Sequence, residues 1–206
     1  MNTNYFNHKF VASTEVANSP TLLLLHGTGG TENDLLTLGK GIAPDYNLLS
    51  PRGKVSENGM NRFFRRFAEG VFDEEDIKLR AKELANWIAI AAKEYGFNAQ
   101  KVIGLGYSNG ANIAGALLLL HPDALAHALL MHPMVPLVPE KNPDLNGKKI
   151  LMTAGKQHHI SPPNETQRLD YLLQSYGAQV ELFWHPYGHQ LIQEEVAEAQ
   201  KFLEKI

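Results

Sequence analysis

Short apolar runs alternate with amphipathic stretches along most of the chain, and this alternation predicts the fold. Four leucines at 22–25, framed by Thr21 and His26 and followed by glycines, have the pattern of a strand buried on both faces. Residues 46–50, closed by Pro51-Arg52-Gly53, form a weaker strand, and 101–107, 127–131 and 149–154 read as three more. Residues 179–184 are amphipathic enough to lie near a sheet edge. Helical spacing of Ile77, Leu84, Trp87, Ile88 and Ala91 predicts a helix over 74–95, stopped by Gly96. A helix over 109–120 is apolar nearly all round and should be buried against the sheet. Two more are expected at 164–176, before Gly177, and at 190–205. Strands and helices in alternation imply an α/β domain whose mostly parallel sheet is covered on both faces. Residues 5–16 are expected to add an antiparallel edge strand. With no internal repeat and no dividing linker, 1–206 reads as one domain.

Composition narrows the partners. At 44% hydrophobic and 20% charged, the chain of 206 residues is neither disordered nor coiled coil. The net charge is -3 and no run of Lys or Arg stands out, so nucleic acid is not an expected partner. No apolar run approaches the roughly 20 residues that span a bilayer, so no membrane is expected either. The first residues have neither a basic region nor an apolar core, unlike a signal peptide, and the chain is expected in the cytoplasm. The absence of cysteine removes disulfides, thiolate nucleophiles and Cys-ligated zinc, and fits a reducing compartment.

Ligands of open α/β sheets bind at the carboxyl ends of the strands, so the residues following each strand are informative. After the third strand comes Gly106-Tyr107-Ser108-Asn109-Gly110, a G-x-S-x-G between strand and helix. In such an elbow a strained turn exposes the serine hydroxyl above the sheet, and the glycines permit close backbone approach. The bland alternative is a turn whose serine only caps the helix. After the first buried strand comes His26-Gly27-Thr28-Gly29-Gly30. Acyl transfer needs two backbone N–H donors aimed at the developing oxyanion, and Thr28 and Asn109 are the expected pair. His26 is expected to hold this loop by hydrogen bonds. After the last strand, Pro186-Tyr187-Gly188-His189 offers a base for the serine, with His185 as the rival. A rate carried by an imidazole base rises at roughly pH 6 to 7 when its pKa is ordinary.

These motifs, with Pro51-Arg52-Gly53, Glu57-Asn58-Gly59-Met60, Arg62-Phe63-Phe64-Arg65-Arg66 and His132-Pro133-Met134-Val135-Pro136, resemble the carboxylesterase, phospholipase and acyl-protein thioesterase branch of the α/β-hydrolases. The likeness is greatest to bacterial hydrolases associated with methylhydroquinone resistance. The resemblance implies a small hydrolase without a cap domain, commonly a homodimer, needing no cofactor and no metal, and acting on small ester or thioester substrates. It also exposes a departure. The family carries its triad aspartate after the strand ending Thr153-Ala154-Gly155, and here that position is His158, with no acid between Asp144 and Glu165. Three readings stay open: His158 orients His189, Glu165 substitutes for the acid, or no third member acts. A neutral partner fixes the ring but stabilises its charged form less.

Two rival functions follow. The missing aspartate suggests a catalytically impaired hydrolase-fold binding protein. The histidines His26, His132, His158, His159 and His189, if gathered at one sheet edge, suggest a metal site, although no carboxylate ligand or helical histidine pair accompanies them. Between Gly53 and Asp73 the chain is too aromatic for a solvated loop. Most of these rings are expected to pack the domain or an interface, with Met60 and Phe63 lining an apolar substrate pocket.

Overall fold

The computed structural model describes residues 2–157 and 161–206. Its centre is a seven-stranded sheet built from β1 (His8–Val11), β2 (Thr21–Leu25), β3 (Asn47–Pro51), β8 (Val102–Tyr107), β9 (His127–Met131), β10 (Lys149–Gly155) and β11 (Gln179–His185). Their order across the sheet is β1-β3-β2-β8-β9-β10-β11. Only β1 runs antiparallel, pairing His8 with Pro51 through Val11 with Leu48, as the expected N-terminal edge strand.

Successive residues of a strand face opposite sides of the sheet, and both sides here are apolar. Leu23 and Leu25 of β2 pack with α2 (Glu74–Tyr95), α3 (Asn109–Leu120) and α4 (Pro163–Ser175). Leu22 and Leu24 face the other layer, formed by α1 (Leu36–Ile42) and α5 (Gln193–Leu203). This architecture is that of an α/β-hydrolase: a mostly parallel sheet with helices on both faces.

Two small hairpins fill the segment between β3 and α2: β4 (Val55–Glu57) with β5 (Met60–Arg62), and β6 (Arg66–Ala68) with β7 (Val71–Phe72). Asn58 and Gly59 turn the first at φ 50° and 81°, the conformation an Asn-Gly hairpin requires. The last helix starts later than its pattern predicts, at Gln193, because Ile192 is extended and the Glu195 carboxylate accepts its N–H at 2.9 Å. Among the described residues, no helix is long and apolar enough to cross a membrane. The loops after β2, β8, β9 and β11 converge on one cavity of about 340 Å³.

Candidate active site

Ser108 stands between β8 and α3 at φ 53°, ψ -114°, a conformation unfavourable for a residue with a Cβ. Backbone bonds hold it there: its N–H donates to Met131 O at 2.9 Å and its carbonyl accepts Asn112 N–H at 3.0 Å. Its hydroxyl does not cap the helix, so the capping alternative fails. The flanking glycines are required by contact. A Cβ on Gly106 would lie 2.3 Å from Gly110 O, and one on Gly110 would lie 1.8 Å from Leu25 O. Asn109 braces the turn from the other side, its Oδ1 accepting the Phe63 N–H at 2.7 Å.

His189 reaches Ser108 from the loop after β11, with Nε2 3.0 Å from Oγ. For the hydroxyl to donate, Nε2 must be the bare nitrogen of the neutral ring. Tyr107 fixes the loop: its hydroxyl donates to His189 O at 2.8 Å and its ring stacks on the imidazole at 5.2 Å. Burial, then the charge of His132, lower the His189 pKa to about 4, and Glu195 offsets part of that shift. His185, the rival, is turned elsewhere. Its Nδ1 accepts Tyr187 N–H at 3.2 Å and its Nε2 lies 3.5 Å from Glu195 Oε2.

His26 holds its loop as expected. Nε2 accepts the Gly53 N–H at 2.9 Å, so the proton sits on Nδ1 and is donated to Gly27 O at 2.7 Å. Thr28, two residues on, lines the cavity with Ser108, Asn109 and His189. Asn109 opens α3, where the N–H groups of the first turn have no intrahelical acceptor.

The pocket residues need correction. Neither Met60 nor Phe63 lines this cavity. Phe63 is 3% exposed because it follows β5 inward and packs on the His26 ring at 4.7 Å, while Met60 sits on the surface at the hairpin turn. The apolar wall comes instead from Phe72, Met134 and Tyr107, with Arg62 and Arg66 beside them.

His158 lies outside the described residues. Glu165 stands in the first turn of α4, 3.7 Å from Arg168, and lines a separate hollow with Val135 and Leu137. The carboxylate near His189 is one the sequence did not single out. Glu195, fully buried on α5, accepts the Thr153 hydroxyl at 2.5 Å and lies 3.0 Å from His132 Nε2. Burial pushes its pKa up, but the hydrogen bonds from His132 and Thr153 outweigh that and hold it below the ordinary carboxylate value. The His132 ring meets the His189 ring edge-on at 5.2 Å. Among the described residues, His132, His185 and Glu195 could hold a metal, with ligand atoms within 4.8 Å of one another. That set overlaps the sequence-derived histidine group only at His132, and its carboxylate is already engaged by Thr153, Ile192 and His132.

The model of the phospholipase/carboxylesterase family matches residues 6–206. MhqD of Bacillus subtilis (strain 168) is 48% identical over 181 residues, 88% of this chain and 90% of that protein. The crystal structure of the Bacillus cereus carboxylesterase superposes with a TM-score of 0.95 at 43% identity, covering 100% of this chain and 99% of that one. The structure of YahD with malic acid matches at a TM-score of 0.90 and 31% identity, covering 97% and 98%.

Proposed function

Because the chain belongs to the phospholipase/carboxylesterase family of α/β-hydrolases, we propose that it is a serine hydrolase cleaving small carboxylic esters or thioesters through an acyl-enzyme. The observation that carries this reading is the 3.0 Å contact between His189 Nε2 and Ser108 Oγ at the strained elbow. Ser108 Oγ attacks the carbonyl carbon as His189 takes its proton, and the Thr28 and Asn109 N–H groups receive the oxyanion. Collapse of the tetrahedral intermediate expels the alcohol or thiol, protonated by His189. Water, deprotonated by the same imidazole, then releases the acid and restores the serine. The setting is the cytoplasm, in keeping with a chain that has no cysteine.

His158, at the position where the resemblance has an aspartate, enters as the third member that orients His189. The negative charge comes from Glu195, which is paired with His132 and acts across that ring as a positioning residue. Glu195→Gln should lower kcat/KM about tenfold, the effect of about 1.4 kcal/mol. It should also shift the acid limb of the pH profile downward, because this carboxylate raises the His189 pKa. A variant that loses stability without moving that limb would make Glu195 purely structural.

The decisive experiment is labelling with a fluorophosphonate, read by mass spectrometry. Ser108 should carry the adduct and Ser108→Ala should carry none. The second reading, an impaired binding protein, rests on the absence of an acid between Asp144 and Glu165. Intact Ser108 after prolonged exposure would favour it.

A further inference from the structure

Beside Ser108 the cavity wall contains a cation that is only partly neutralised. Arg62 is 3% exposed, lines the cavity, and uses Nη1 to donate to Thr28 Oγ1 at 2.7 Å and Nε to donate to Phe64 O at 3.2 Å. Both acceptors are neutral. Its nearest carboxylate is Glu57, 3.6 Å from Nη1 and beyond hydrogen-bond reach. That carboxylate is already taken by Arg66, whose Nε lies 3.0 and 3.1 Å from its two oxygens. Two guanidinium groups therefore share one carboxylate, which leaves one positive charge in excess. Glu69 also lines the cavity, but it is exposed, so water screens its charge far more than it screens Arg62. Burial, and then the charge of Arg66, disfavour the cationic form of Arg62, and Glu57 offsets only part of this. A buried guanidinium without a full counterion is costly, and an anion placed against it removes the cost.

We propose that Arg62, backed by Arg66, binds an ionised carboxyl group on the substrate, so that this hydrolase prefers esters or thioesters bearing a second, free carboxylate. The excess of one charge matches a monoanion rather than a dianion, and the planar guanidinium fork can meet both oxygens of a carboxylate. Arg62 bonds directly to Thr28, which lies on the loop proposed to receive the oxyanion. The carboxylate is thus bound close to the scissile carbonyl, in a cavity of about 340 Å³ that suits a short diacid. The substrate preference rests on the hydrolase reading, whereas the anion site does not.

The test has two arms on the intact protein. In the first, kcat/KM for monoethyl succinate is compared with that for diethyl succinate. A preference of at least tenfold for the half-ester is expected, falling toward one in Arg62→Gln and Arg66→Gln and partly kept in Arg62→Lys. A ratio is unaffected by damage common to both substrates. In the second, calorimetry follows succinate and, separately, inorganic phosphate. Succinate should bind to the parent protein and not to Arg62→Gln. Should that variant fail to fold, Arg66→Gln and the parent ratio carry the test. A parent ratio near one would overturn the preference while fluorophosphonate labelling leaves the hydrolase standing. Succinate still bound while neither ester is hydrolysed and Ser108 takes no fluorophosphonate would remove the hydrolase reading and keep the anion site. No succinate binding, or phosphate binding as tightly, would overturn the carboxylate site.

Discussion

His189→Ala should lower kcat by a factor on the order of 10⁶, the scale on which a serine protease loses rate when its catalytic histidine or serine is removed. Ser108→Ala should do the same while leaving the melting temperature nearly unchanged, because the hydroxyl caps no helix. His185→Ala should cost far less, since that ring contacts Glu195 and the Tyr187 N–H rather than Ser108. The pH dependence is sharper still. The base acts only when neutral, so kcat/KM is full above the pKa of His189 and lost as pH falls through it. With that pKa at about 4, the acid limb should be centred near 4 and the profile flat from pH 6 upward. A limb centred at the ordinary imidazole value would mean that His189 is not shielded in the free enzyme. Equal losses from His185→Ala and His189→Ala would leave Ser108 without an identified base.

Gly110→Ala should be the most damaging single methyl group in the chain. Its Cβ would stand 1.8 Å from Leu25 O and 2.4 Å from the Leu25 carbonyl carbon, both backbone atoms of a fully buried central strand. Neither can rotate away, so α3 or β2 must move. A cost of about 4 kcal/mol or more is expected, a fall in melting temperature of roughly 10 °C or beyond for a chain of this size. The control is Gly41→Ala. A Cβ there meets nothing within 4 Å, and Ala is the better helix former, so a neutral or slightly stabilising effect is expected. A melting temperature for Gly110→Ala within about 2 °C of the parent would mean that the elbow is not as tightly packed against β2.

Much of this was legible because the signals are local. Helix α2 runs over the predicted residues since both ends are punctuated: Asp73 caps the start by accepting Asp76 N–H at 3.1 Å, and Gly96 ends it at φ 78°. Ser108 and His189 were legible for the same reason, each marked by its place after a strand. Helix α1 was not, because Gly39 and Gly41 weaken its pattern. Gly39 is there to let the helix approach Leu24 and Leu48, whose side chains would lie 3.1 and 3.2 Å from a Cβ. Met60 and Phe63 fall outside the cavity beside Ser108 because a short hairpin turns its residues inward or outward according to register, which composition does not reveal. Glu195 is the hardest case. Beside the exposed Glu194 it looks like any acid in the first turn of a helix, and only the docking of α5 against β10 distinguishes the two.

That docking bears on how such a site can change over evolutionary time. The negative charge that acts on His189 among the described residues enters from the C-terminal helix, whereas the family resemblance leads one to expect it in the loop after β10. Two separate segments of chain can therefore supply charge to one imidazole. The loop itself contributes no such charge here: residues 156–162 contain no acid at all. With a buried carboxylate already on the helix, a loop without an aspartate is a change of tuning rather than a loss of the site, and the contact between Ser108 and His189 stays in place.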